Sequence, residues 1–203
     1  MTEYPVQLEV RSPEHFDRIQ VVLRLVVGVV LAWIGVSAGW FACLLYLGLP
    51  LAAAITISSE GRDVYTRDFA PQLWRVLRWV FELSAYMMML TDRFPTADGD
   101  SVRVDIRFTA NPTVGSSLAR LATSIPSALV LCVLSWISAV LCIVAIVFVL
   151  VGAPMPASIL AYQRGVLRWQ ARLLAYHASL VAEYPPFSFE TDGGHRPAAA
   201  AAR

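Results

Sequence analysis

Two stretches of the chain set arginine beside tryptophan at helical spacing, and they carry most of the chemistry the sequence offers. In one, Arg164, Arg168 and Arg172 recur every four residues, while Val166, Trp169, Leu173, Tyr176 and Leu180 form an apolar stripe at steps of three and four. In the other, Val76, Trp79, Leu83, Tyr86 and Leu90 repeat that stripe, with Arg75, Arg78 and Glu82 opposite. Such helices suit a membrane interface, where tryptophan and tyrosine settle at headgroup depth and arginine reaches phosphates. The chemistry expected is therefore binding: anionic lipid held by the basic rows, or a helix packed on its neighbours with its arginines solvated. Glu82 stands where the other copy has Arg172. It has two open pairings, with Arg78 one turn away or with Arg168 or Arg172 of the other helix.

Reactive machinery is otherwise sparse. There is no H-E-x-x-H, no G-x-S-x-G, no phosphate-binding glycine loop and no G-x-G-x-x-G. His15, His177 and His195 stand apart from one another, and Asp98 and Asp100 are too few for a calcium loop. Cys43, Cys132 and Cys142 lie in apolar runs without metal-ligand spacing and read as small hydrophobes. No catalytic residue, metal or cofactor is expected, and the chain is not expected to be an enzyme.

Composition says where such helices would sit. Of 203 residues, 57% are hydrophobic and 15% charged, with a mean hydropathy of +0.59. That is too little charge to cover a soluble globule. The net charge of +1, from 16 basic and 15 acidic residues, provides no field for nucleic acid. The opening residues, MTEYPVQLEVRSPEHFDRIQ, are polar and lack a signal-peptide pattern, so the first apolar run is expected to remain as an anchor.

Leu25 to Ser59 carries no charged residue or histidine over 35 positions, and Leu121 to Gln163 none over 43. One span needs about 20 residues, so each run is expected to fold as a transmembrane hairpin, about 21–58 and about 118–152. Gly35 to Gly39 offers a turn in the first run, and Ser135 and Ser138 offer one in the second. The pairs Gly35 and Gly39, and Ser135 and Ala139, read equally well as close-packing positions between helices. Hairpins would place every arginine on one side, which the positive-inside rule makes cytoplasmic, both termini included.

The chain also repeats itself. Val76-Leu77-Arg78-Trp79 recurs ninety residues on as Val166-Leu167-Arg168-Trp169, with nine identities in a twenty-residue window. Two units are expected, 1–95 and 96–190, followed by a disordered tail, 191–203. Each unit has a short strand (Val6–Val10, Val102–Phe108), a hairpin and an Arg-Trp helix, at about 72–91 and 158–182. Phe187 to Glu190 is a third strand candidate. The fold expected is an all-α integral membrane protein of tandem units with short cytoplasmic strands.

The segment from Val166 through Arg172 and Tyr176 to Glu183-Tyr-Pro-Pro-Phe-Ser188 resembles an uncharacterised family of bacterial, mostly actinobacterial, membrane proteins, a domain of unknown function. Its units carry an Arg-Trp-Gln-x-Arg helix and a Tyr-Pro-Pro-Phe end. The first copy departs from that pattern, with Val80 and Glu82 in place of the glutamine and second arginine. The resemblance implies no activity or cofactor. Taken together, these features point to a non-catalytic scaffold or accessory subunit in the bacterial cytoplasmic membrane. The alternative is a small transporter or lipid-handling protein. The partners expected are membrane lipids, anionic ones among them, and another membrane protein or a second copy.

Overall fold

The computed structural model of the protein describes residues 4–33, 38–95 and 102–187. The two alternating segments pair as β1 (Val6–Val10) and β2 (Val102–Ile106), antiparallel, with Leu8 opposite Val104. One face of this ribbon, Val6, Leu8, Val102 and Val104, is buried, and the other carries Gln7, Glu9, Arg103 and Asp105. Two strands alone are marginal, so the ribbon depends on the helices beneath it.

The helices are α1 (Arg18–Trp33), α2 (Ala38–Ser59), a short α3 (Arg62–Val64), α4 (Ala70–Met87), α5 (Val114–Thr123), α6 (Ile125–Val151) and α7 (Ala157–His177). A π-helical turn, Tyr65–Phe69, leads into α4. α5 begins at a reciprocal cap, in which the Thr113 hydroxyl accepts from the Ser116 amide and the Ser116 hydroxyl from that of Thr113. α6 ends at Gly152, whose φ of 78° suits a residue without a Cβ.

α7 occupies the centre. It packs on α6 along one side and on β1 along another, and it also meets α2, α4 and α5. The main core joins Leu8, Val104, Leu77, Phe81, Leu167 and Ala171. α6 buries Ser127, Leu131, Ser138, Ala145 and Val149 against this body, with Leu134, Leu141 and Ile146 half-buried beside them, and leaves its outer apolar face exposed.

The second apolar run does not fold as the expected hairpin. The helix axis is interrupted at Ser124, and from Ile125 a single helix of 27 residues follows, through Ser135 and Ser138 without a turn. Isolated serines do not break a helix, and Pro126 lies in the first turn, where its missing amide costs nothing. Among the described residues α6 is the one helix long and apolar enough to cross a membrane. In the first run Gly35 lies outside the described residues, and Gly39 belongs to the first turn of α2. Of the third strand candidate, all beyond Phe187 lies outside them as well.

Candidate functional site

The basic row of α7 faces protein. Arg164 donates to the Ser12 hydroxyl at 2.8 Å, and Arg168 to the Leu8 carbonyl at 3.4 Å. The Arg172 guanidinium lies 5.2 Å from the centre of the Tyr4 ring. Taken in reverse order, Ser12, Leu8 and Tyr4 thus meet successive turns of the helix, with β1 between them. Arg172 is 2% exposed and Trp169 4%, which corrects the expectation that this helix lies at an interface with tryptophan in the headgroups. The sequence stripe was right about which residues share a face. It could not say that α6 would cover that face.

Trp169 packs among Leu131, Val166 and Leu173, with the Phe187 ring edge-on at 5.4 Å. Lower on the same side Ser138 donates to the Gln163 side-chain oxygen. The Gln163 amide returns a bond to the Ser138 carbonyl at 3.0 Å. The close-packing residues of α6 are therefore Ser127, Ser138 and Ala145. Ser135 is half-buried and accepts a long bond, 3.5 Å, from the Gln170 amide of α7, while Ala139 is exposed.

On α4 the matching residues are laid out differently. Trp79 is 47% exposed and Val76 58%. Arg78 pairs with Glu82 at 3.0 Å within the helix, so the local pairing is the one adopted. Glu82 and Tyr86 are buried.

The C-terminal ends of α4 and α7 share one construction. Met89 and Ser179, ninety residues apart, take left-handed φ of 59° and 57°. The Leu90 amide bonds to Ala85 and the Leu180 amide to Ala175, both at 3.0 Å. A buried arginine then closes each end. Arg24, from α1, donates to the Tyr86 carbonyl and the Thr91 carbonyl, each at 2.7 Å, and to Asp92 at 2.8 Å. Arg120, from α5, donates to the Tyr176 carbonyl and, at 2.7 Å, to that of Val181. The guanidinium carbons stand 4.5 and 4.3 Å from the ring centres of Tyr86 and Tyr176. Cations here meet the negative helix end and its orphan carbonyls together. Neither arginine was singled out from the sequence, yet a signal exists: Arg24 and Arg120 are the last charges before the two apolar runs.

His177 joins α7 to α2. Its Nε2–H donates to the Tyr46 carbonyl at 2.8 Å, and its ring stacks on that of Tyr46 with centres 4.3 Å apart. Burial disfavours the charged imidazolium and pushes the His177 pKa down to about 4, with Arg120 adding repulsion. Tyr65 donates to the Ala178 carbonyl, Tyr46 to that of Leu121 at 2.6 Å, and Tyr4 to that of Glu183 at 3.0 Å. The Glu183 carboxylate accepts from the Thr109 hydroxyl, which holds it below the usual glutamate range.

These polar groups therefore serve one another. Among the described residues no three histidine, cysteine or acidic side chains cluster as a metal site. One cavity of about 90 Å³, bordered by Glu14, His15, Arg18 and Gly152, has room for a few waters. A groove of about 390 Å³ between α2 and α5 is open and mostly apolar, lined by Leu51, Ile55, Val114 and Leu118.

Residues 115–188 match the model of a family described as a domain of unknown function, DUF4389. The matched stretch runs from the first turn of α5 through α6 and α7 to Ser188, a little over a third of the chain. It contains Arg120, Trp169 and Arg172. No curated protein and no solved structure matches the chain.

Proposed function

We propose that the chain is a non-catalytic membrane protein, a scaffold or accessory subunit of a larger envelope or transport assembly in the bacterial cytoplasmic membrane. The observation that carries this reading is the division of labour among side chains. Arginines, tyrosines, Gln163 and His177 are spent on joining helices, while the outer faces of α1 and α6 are bare and apolar. A catalyst would instead aim polar groups into a cavity.

On this reading the chain is two copies of one unit, in a family of actinobacterial type. The equal construction of the α4 and α7 ends, ninety residues apart, supports it. So does the symmetric pairing of β1 with β2 about Leu8 and Val104, which lie ninety-six apart, the same step as Arg24 to Arg120.

Multi-pass insertion with both termini cytoplasmic belongs to the same reading and would itself demand a partner. β1 flanks the middle of α7 on one side while α6 flanks it on the other. A crossing α6 would carry Glu9, Arg103 and Asp105 to bilayer depth, at roughly 3 kcal/mol for each charge exposed to hydrocarbon. A second subunit over the sheet removes that cost. A second reading, a small transporter or lipid-handling protein, draws on the same charged strands, since they would equally line a water-filled path.

Purification of the tagged chain from its native membrane in mild detergent, followed by mass spectrometry, tests the proposal. A stoichiometric protein partner is expected. Recovery of the chain alone with tightly held anionic lipid would sink the scaffold reading in favour of lipid handling.

A further inference from the structure

We propose that the chain lies side-on in one leaflet, with the outer faces of α1 and α6 in lipid and the two-stranded sheet turned to water. This rests on the membrane location proposed above but takes the place of multi-pass insertion, since a chain held in one leaflet keeps the charged ribbon in water without a second subunit over the sheet. α7 separates two surfaces of opposite character. On one side α6 exposes Leu129, Val133, Trp136, Val140, Val147 and Val151, apolar side chains that follow one another along its whole length. On the other, β1 lies against Arg164, Arg168 and Arg172 and shows Gln7 and Glu9 outward, beside Arg103 and Asp105 of β2. Polarity therefore changes across the helix layer where β1 and α6 flank α7.

A protein that crosses a bilayer changes polarity along the membrane normal, with an apolar belt between two polar ends. Standing upright, α6 would be about 40 Å long against about 30 Å of hydrocarbon, and the charged ribbon would sit at the level of its middle. Laid flat, the same helix holds all its outward side chains at one depth and leaves the ribbon in water. α1 extends the same apolar character, with Ile19, Val22, Val26 and Val29 exposed.

Lipid suits this surface better than a second copy does. A partner helix covers a narrow stripe, two positions in seven, whereas α6 is exposed and apolar over a wider arc, on the sides away from α7 and α1. Charge complementarity points the same way: the exposed Arg18 has its guanidinium against Gly152 at the end of α6, 2.8 Å from where a Cβ would stand, within reach of headgroup phosphates at the rim.

The test uses the full chain with exposed Cys43 and Cys132 replaced by serine and half-buried Cys142 retained. One fluorophore is attached in turn to Leu129→Cys, Val140→Cys and Val151→Cys, and to Gln7→Cys on the sheet. Each protein is reconstituted in vesicles of phosphatidylcholine and phosphatidylglycerol, and quenching by lipids spin-labelled at stepped depths gives the depth of each site. Side-on binding predicts that the three α6 sites agree to within about 5 Å, in the outer part of the hydrocarbon, with Gln7→Cys unquenched. An upright helix would place Val140→Cys near the bilayer centre and the other two about 16 Å shallower. That profile overturns the proposal while leaving the membrane reading intact. Lipid quenching at Gln7→Cys equal to that on α6 would overturn it too. Absence of quenching at all four sites, with the protein in the aqueous fraction, would overturn the membrane reading and this proposal together.

Discussion

Trp79 and Trp169 occupy the same place in the repeated sequence, and the structure assigns them opposite fates. Replacing each by alanine therefore measures what tertiary packing adds to an identical local pattern. A tryptophan buries about 200 Å², which at about 25 cal/mol per Å² is about 5 kcal/mol for complete burial. Trp169, at 4% exposure among Leu131, Val166, Leu173 and Phe187, approaches that limit. Its removal leaves a cavity between α6 and α7, and a loss of about 3–5 kcal/mol is expected. Trp79 is 47% exposed, so about half the area is already outside and no cavity closes over it, and a loss of about 2 kcal/mol is expected. In a chain of this length each kcal/mol moves Tm by about 2–4 °C. Thermal unfolding in one detergent, followed by circular dichroism, should place Trp169→Ala at least about 2 °C below Trp79→Ala. Equal losses would refute the burial of the α7 stripe beneath α6. A larger loss for Trp79→Ala would reverse the assignment of the central helix.

Three further outcomes follow from the polar joints. Arg120→Met removes the donor that meets the Tyr176 and Val181 carbonyls, and a loss of about 3 kcal/mol is expected in the same melt, because both acceptors stay buried; a loss under 1 kcal/mol would show the clamp to be dispensable. Ser138→Ala strands the Gln163 amide oxygen and should cost about 1–3 kcal/mol, whereas the double change Ser138→Ala with Gln163→Leu should restore most of it, a coupling read from a double-mutant cycle. His177 has a folded pKa of about 4 against 6.5 for the unfolded residue. The neutral ring is thus the one the fold accepts, so its contribution is complete above pH 6.5 and declines as pH falls towards 4, by about 3 kcal/mol in all. A His177→Gln variant should lack that slope between pH 6.5 and 4, and an unchanged slope would assign it to other groups.

Much of the fold was legible in local pattern. Alternation in Val6–Val10 and Val102–Phe108 marked both strands, the second ending at Ile106, since side chains of a strand alternate between faces. The stripe from Val166 to Tyr176 marked one face of α7, and the spacing of Arg78 and Glu82 offered, as one of two pairings, the ion pair that forms within a turn. What the pattern left undecided was what each face meets. The basic row of α7 reads as solvated or lipid-bound by sequence alone, because an arginine every fourth residue is the same whether water or a strand lies opposite. Tertiary structure put Leu8 and Ser12 there. The serines of the second apolar run look like a turn or a packing seam, and only the neighbour Gln163 makes Ser138 a joint within an unbroken helix.

The sequence by itself determined composition, helical faces, strand alternation and the ninety-residue echo, all properties of a chain read a few residues at a time. Tertiary structure decided which of two matching tryptophans is buried, which arginines close helix ends, and on which sides of α7 the apolar and charged surfaces fall. Those choices depend on contacts between residues such as Arg24 and Thr91 or Arg120 and Val181, more than sixty positions apart. Periodicity within a segment carries no record of its distant partner, so only the packed chain reveals it.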